Sequence, residues 1–152
     1  MKKCVSCEKT LDVSKFSAGR NECMACRTQN RESKISSSYG NYLRHIYAQS
    51  KSCVKSGKRN RELEWAIEPE DLTNLWVKQG GRCAISGVYL THHKDGSGHK
   101  DYNASIDRIS SEKGYTYHNV QLVCYRINLM KNTLPEDMFY WWVKTINDFS
   151  CD

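Results

Sequence analysis

The 152 residues include no apolar run near the ~18 residues that a membrane span requires, and the opening MKKCVSCEKT lacks the apolar middle of a signal peptide. These absences exclude a membrane-embedded and a secreted chain, so the expectation is a soluble, cytoplasmic protein that makes no membrane contact. No internal repeat array and no low-complexity segment is present, which argues against a solenoid or a disordered tract. Acid is scarce in one half: residues 1 to 66 hold 14 Lys+Arg against 6 Asp+Glu and the remainder 9 against 11, within a net charge of +6. A cationic half suits a polyanion, because lysines and arginines on phosphates release condensed counterions. A basic surface kept for solubility fits the count equally well, so motifs have to decide.

Cysteine is what the chain has in plenty, with eight residues. In a reducing compartment that number points to metal ligation rather than disulfides. The segment CVSCEKTLDVSKFSAGRNECMACRTQNRE carries two Cys-x-x-Cys pairs, Cys4/Cys7 and Cys23/Cys26, with 15 residues between them. Each pair suits a tight knuckle, and two knuckles supply the four thiolates that tetrahedral Zn²⁺ accepts. Between the pairs only Leu11, Val13 and Phe16 are core-forming, too little apolar surface for so small a module to fold without its metal.

Beyond the cysteines, RESKISSSYG is polar and Ser-rich and reads as a flexible linker. In NYLRHIYAQSKSCVKSGK, Tyr42, Leu43, Ile46, Tyr47 and Val54 recur at near-helical spacing up to a capping Gly57. The opposite face carries Arg44, Lys51 and Lys55, followed by Lys58, Arg59 and Arg61, a candidate row for the phosphate backbone of DNA. A solvated helix face is the alternative. LEWAI alternates like a short strand, and PEDLTNLWVKQGG reads as a helix with Pro69 in its first turn and Gly80-Gly81 at its end. A last helix is expected from TLPEDMFYWWVKTI, with Thr133 and Glu136 at capping-box spacing and Met138, Trp141, Trp142 and Ile146 packing the core. Between these, ASIDRI reads as a strand, SSEKGYTYHN as a loop, VQLVC as a second strand and YRINLMKN as a helix.

That strand, loop, strand, helix order resembles the HNH, or ββα-metal, endonucleases, especially the small ones encoded by phages and mobile elements. The resemblance runs from EPEDLTNLWVKQGGRCAISGVYL through ASIDRISSEKGYTYHNVQLVCYRINLMK, roughly residues 63 to 134, and the N-terminal double Cys-x-x-Cys module is similar to zinc modules found ahead of such cores. The expected fold is α+β: a Cys4 zinc module at 1–32, a basic linker and helix at 33–62, and an HNH ββα-metal core with a C-terminal helix at 63–152. In that family an aspartate on the first strand and an asparagine or histidine on the helix hold one divalent cation, usually Mg²⁺. The matching residues are Asp107 and Asn128, oxygen donors suited to a hard cation that completes its shell with water and the scissile phosphate. Asn119 matches the family's middle asparagine, which orients the base or fixes the loop, and Lys131, three residues past Asn128, is expected to approach a phosphate. Structural Zn²⁺ and catalytic Mg²⁺ or Mn²⁺ are the cofactors implied.

Two departures from the family pattern stand out. Many members hold a zinc inside the core through two Cys-x-x-Cys pairs, and here those places read CAIS and CYRI, leaving Cys83 and Cys124 with Ser86 and Ile127 as partners. An internal zinc is therefore not expected, and the two thiols are expected to face each other as small core residues. The second departure is Arg108 at the family's general-base position, since a guanidinium takes no proton near neutral pH. Three readings follow: another group such as His118, His93 or His99 is the base, metal-bound hydroxide attacks unaided, or the site binds DNA without cutting it. The leading function is a metal-dependent DNA endonuclease acting by phosphodiester hydrolysis, in a host cytoplasm if phage-encoded. The alternatives are a non-catalytic zinc-ribbon DNA-binding protein with a degenerate HNH site and a zinc-linked adaptor. A homodimer or a phage protein partner stays open.

Overall fold

Two cysteine knuckles, and no apolar core, organise the first residues of the chain. In the computed structural model, which describes residues 1–57, 63–94, 98 and 100–150, strands β1 (Lys2–Lys3) and β2 (Thr10–Leu11) pair antiparallel around the first knuckle. A short 3₁₀ turn at Val13–Lys15 leads to the second knuckle, where Cys23 is the N-cap of helix α1 (Met24–Ser36). None of α1's residues is buried. The expected flexible linker is overturned for residues 31 to 36, which continue this helix. The helix is pinned at its end by Ser36 Oγ, which donates to the Lys94 carbonyl (3.0 Å) and accepts from the Lys94 amide (2.6 Å).

Helix α2 (Tyr39–Lys55) starts at Ser38, whose Oγ accepts from the Asn41 amide, and is followed by Gly57 at φ +64°. That is the left-handed exit glycine provides without a steric penalty. Its Tyr42, Leu43 and Tyr47 are buried in the main core, and the Tyr42 hydroxyl donates to the Ala104 carbonyl (3.2 Å). Strand β3 (Trp65–Ala66) precedes helix α3 (Pro69–Lys78), which opens with a reciprocal capping box between Glu68 and Asp71 and buries Leu72 and Leu75.

The rest of the core is built on strands β4 (Ala104–Arg108) and β6 (Val120–Cys124), paired antiparallel with Asp107 opposite Gln121, and helix α4 (Tyr125–Lys131), which follows β6 without an intervening residue. β4, β6 and α4 fall on the segments expected as strand, strand and helix, whereas the segment expected as a loop holds further structure of its own. Between the two strands, β5 (Tyr115–Thr116) pairs parallel with β3 and is followed by a 3₁₀ turn at Tyr117–Asn119. Gly114 is required there, because a Cβ at that position would lie 2.5 Å from the Glu64 carbonyl oxygen. Ile67, Leu72, Leu75, Leu90, Ile106, Leu122 and Val123 fill the core between α2, α3 and the strand pair.

Helix α5 (Glu136–Ser150) closes the described chain. It starts at Glu136, three residues after the expected Thr133, and buries only Phe139. Met138, Trp141, Trp142 and Ile146, expected in the core, are exposed. The segment is helical as its period implies, but α2 and α3 already pack on the strand pair and no element among the described residues covers α5's apolar side. No helix among the described residues is long and apolar enough to cross a membrane.

Candidate functional site

The N-terminal cysteines are assembled by backbone geometry. The Cys4 amide donates to the Lys9 carbonyl (2.9 Å), the Glu8 amide to the Cys4 carbonyl (3.0 Å), and Glu8 takes a left-handed φ of +57° to close the knuckle. The Cys23 amide donates to Cys4 Sγ at 3.2 Å. The sulfurs of Cys4, Cys7, Cys23 and Cys26 all lie within 4.8 Å of one another, and Cys4 and Cys26 are 3.9 Å apart. A tetrahedron with bonds of ~2.3 Å has edges of about 3.8 Å, so the set could hold a zinc ion. Backbone N–H groups of Cys23 and Cys7 draw the Cys4 thiol down to about 6, whereas hydrogen bonding to the thiols of Cys23 and Cys7 pushes Cys26 up to about 12. Cys4 is thus readily ionised while Cys26 beside it resists losing its proton.

The second assembly lies at β4 and α4. A cleft of about 680 Å³ is lined by Ser105, Asp107, Arg108, Ser111, Asn128 and Thr133 among others, bringing three of the expected site residues to one surface. Asn128 Nδ2 donates to Ser105 Oγ (2.6 Å) and to the Ile106 carbonyl (3.3 Å), which ties the helix to the strand. Asp107 is 3% exposed. Its Oδ1 accepts from Lys131 Nζ (3.1 Å) and its Oδ2 from Gln121 Nε2 (2.9 Å). An ionised carboxylate has about four acceptor positions, so two remain for a cation.

Lys131 differs from expectation. Its side chain is fully buried, and the ammonium that was expected at a phosphate donates instead to Asp107 and to the Arg108 carbonyl (2.9 Å). The register of α4 turns it inward, onto the face of β4 that carries Asp107. Asn119 is also buried. Its Oδ1 accepts from the Ser110 amide (2.9 Å), and its Nδ2 donates to the carbonyls of Ser110 (3.0 Å) and Gly114 (2.8 Å), bracing the loop between β4 and β5. Arg108 Nη1 donates to the carbonyls of Ser111 (2.8 Å) and Lys113 (2.9 Å), and its guanidinium lies 5.3 Å from the Tyr115 ring centre. His118 is exposed against Tyr117 and, like His93, is not among the residues lining the cleft. His99 lies outside the described residues.

Two residues near Asp107 escaped the sequence reading. Gln121 bridges Asp107 to Glu136, donating to Glu136 Oε2 at 3.0 Å, so the first turn of α5 reaches the same network. The only available signal was a single polar residue inside the apolar run VQLVC. On the basic helix, Arg44 and Lys55 are exposed, whereas Lys51 donates to the Tyr47 hydroxyl (2.8 Å), a bond that raises its pKa. Lys58, Arg59 and Arg61 lie outside the described residues.

No protein-family model matches the chain, and neither does any curated protein. Among solved structures, the chain is similar to the rare-cutting HNH restriction endonuclease PacI, which has been described as perturbing DNA by an extraordinary mechanism. That match has 18% identity and a TM-score of 0.45 over 97% of this chain and 94% of that one. Similarity of that degree leaves the functional reading to the chain's own geometry.

Proposed function

We propose that the chain is a Mg²⁺- or Mn²⁺-dependent HNH-type endonuclease that nicks or cleaves DNA. It would comprise a zinc module at 1–32, a basic helical connection at 33–62 and a nuclease core at 63–152. The observation that carries this proposal is the convergence of Asp107 from β4 and Asn128 from α4 on one cleft beside Arg108. Asp107 and Asn128 would hold the divalent ion, which when bound stabilises the charge developing on the phosphate and the leaving oxygen. Lys131 and Gln121 fix the Asp107 carboxylate, and Asn119 and Arg108 Nη1 fix the loop that borders the cleft. Arg108 keeps further donors among its five N–H groups for a phosphate oxygen, so it serves as a charge-stabilising clamp rather than a base. Neither His93 nor His118 lines the cleft, which favours metal-bound hydroxide over those two side chains in proton removal. Arg44, Lys51 and Lys55 on α2, with Lys58, Arg59 and Arg61 that follow in sequence, would grip the DNA backbone.

A second reading, a DNA-binding protein without cleavage, draws support from one observation: both oxygens of Asp107 already accept a hydrogen bond. Supercoiled plasmid incubated with the purified chain and Mg²⁺ or Mn²⁺ separates the two. Nicked or linear product that disappears in Asp107→Ala, with DNA retardation retained, supports the nuclease. Retardation in EDTA with no cleavage under any metal supports the second reading. Arg108→Ala should slow cleavage about 10²- to 10³-fold, the scale for losing one charge-stabilising donor, and Arg108→His should bring no large gain.

A further inference from the structure

A second, smaller hollow adjoins the cleft. It measures about 120 Å³ and is lined by His45, Gln49 and Ser50 of α2, by Lys94 and by Ser105 of β4, among others. Ser105 borders both spaces, which therefore meet at its side chain. Its hydroxyl oxygen accepts from Asn128 Nδ2, a bond that uses a lone pair and leaves the proton to donate. Along β4, Ser105 and Asp107 are two residues apart, roughly 7 Å, which matches the rise of two nucleotides in a duplex strand at ~3.4 Å each.

The hollow collects donors and positive charge. Among the described residues that line it, none is a carboxylate. His45 Nε2 is buried with no hydrogen-bond partner among the described residues, an arrangement that folded proteins rarely leave unfilled. Burial, and after it the charges of Lys94 and Arg31, hold the His45 pKa below its usual value. The imidazole thus lacks both a partner and a counter-charge, and a single anion supplies the two. Space sets the size of that anion. The hollow is smaller than the ~150 Å³ cavity that takes one benzene, so it admits a phosphate group and excludes a whole nucleotide. Because it opens onto the cleft, that phosphate belongs to the same backbone as the one the cleft receives.

We propose that His45, Gln49, Ser50 and Lys94 form a subsite for a second backbone phosphate of DNA, beside the cleft at Asp107. The subsite rests on the reading of the chain as DNA-binding and is independent of whether the chain cuts. Gel retardation of a duplex oligonucleotide without added divalent metal, over a range of salt, tests it. Lys94→Ala should weaken binding about tenfold, the scale of one charge-assisted hydrogen bond, and lower the slope of log K against log salt by about 0.9. Ser36 bonds only the main chain of Lys94, so this substitution leaves the end of α1 held. His45→Ala should weaken binding several-fold, and the two losses should not multiply, since both residues serve one phosphate. As a measurement free of substitutions, the His45 ring resonances of the wild type should shift on adding the oligonucleotide and stay in place with inorganic phosphate at the same total phosphate concentration. A wild type that retards no DNA would overturn the DNA-binding reading and the subsite with it. A wild type that retards DNA would leave that reading standing and overturn the subsite alone in any of three cases: the Lys94 variant keeps its affinity and salt slope, the two losses multiply, or the His45 resonances ignore DNA or follow free phosphate equally.

Discussion

The chain contains the same backbone device twice, once built around four thiols and once around two. In the N-terminal copy, Cys4 donates to Lys9, accepts from Glu8, and receives the amide of Cys23, the N-cap of α1. In the core, the Cys83 amide donates to the Val88 carbonyl (2.8 Å), the Gly87 amide to the Cys83 carbonyl (2.9 Å), and the amide of Cys124, N-cap of α4, points to Cys83 Sγ at 3.3 Å. Ser86 and Ile127 stand where Cys7 and Cys26 stand in the first copy. Burial pushes up on the Cys83 thiol, but the hydroxyl and amide of Ser86 and the amides of Cys124 and Ile85 outweigh it and draw the thiol down. Cys124 beside it is raised to about 11 by burial and by Cys83. The difference lies in what surrounds each copy. The first has almost no apolar neighbours, whereas Leu72, Leu75, Leu90, Leu122 and Val123 belong to the same core as the second. Where a hydrophobic core holds its two halves together, the knuckle keeps its backbone pattern with two thiols in place of four.

The largest break in this comparison should come from chelation or from Cys4→Ser with Cys26→Ser. A structural zinc contributes on the order of 10 to 16 kcal/mol to such a module, so residues 1 to about 30 should lose amide-exchange protection and the chain its single zinc. The thermal transition of the core should stay in place. A core that melts together with the module would show that the two copies depend on one another.

The comparison also predicts where the core keeps its cation. Asp107 is paired with Lys131 from within the chain, whereas the four thiols form a set that could hold an ion from outside. Lys131→Met should cost about 3 to 5 kcal/mol in chemical denaturation by leaving a buried carboxylate unpaired, and millimolar Mg²⁺ should restore part of it by binding the folded state. A variant as stable as wild type, indifferent to Mg²⁺, would show that Asp107 does not rely on either cation.

Rebuilding the missing half should be cheaper. Ser86→Cys with Ile127→Cys should take the chain from one zinc to two by metal analysis, at a loss of about 1 to 2 kcal/mol in the metal-free protein from the truncated isoleucine. Unchanged stoichiometry would mean that the core has closed over the position. The smallest effect concerns the left-handed residue of each knuckle, Gly87 at φ +71° in the core and Glu8 at φ +57° in the N-terminal copy. Glu8→Gly should relieve about 1 kcal/mol of strain, read as a several-fold gain in zinc affinity in a chelator competition.

Much of this was legible in the chain's chemistry. The Cys-x-x-Cys spacings, the apolar strands and the glycine exits are local signals, and the described elements follow them. What was hidden depends on which neighbour occupies which face. Nothing in the spacing of Lys131 tells whether its ammonium turns outward to a phosphate or inward to Asp107, and the apolar period of α5 marks a buried face without saying whether this chain or another buries it. RESKIS has a linker's composition, yet a helix capped at Cys23 extends through it, its end held at Lys94.

The direct handover from β6 to α4 sets the phase of the whole cleft. Strand ends at Cys124 and helix begins at Tyr125, so the azimuth of every α4 side chain is dictated by the last strand peptide. One alanine inserted between Tyr125 and Asn128 would turn the following residues by about 100° around the helix axis and advance them by about 1.5 Å. Asn128 would swing away from Ser105 and the Lys131 ammonium away from Asp107, while the strand pair itself stayed intact. Length at this junction is therefore as restrictive as residue identity, and substitutions should be tolerated across α4's outer side where a single insertion is not.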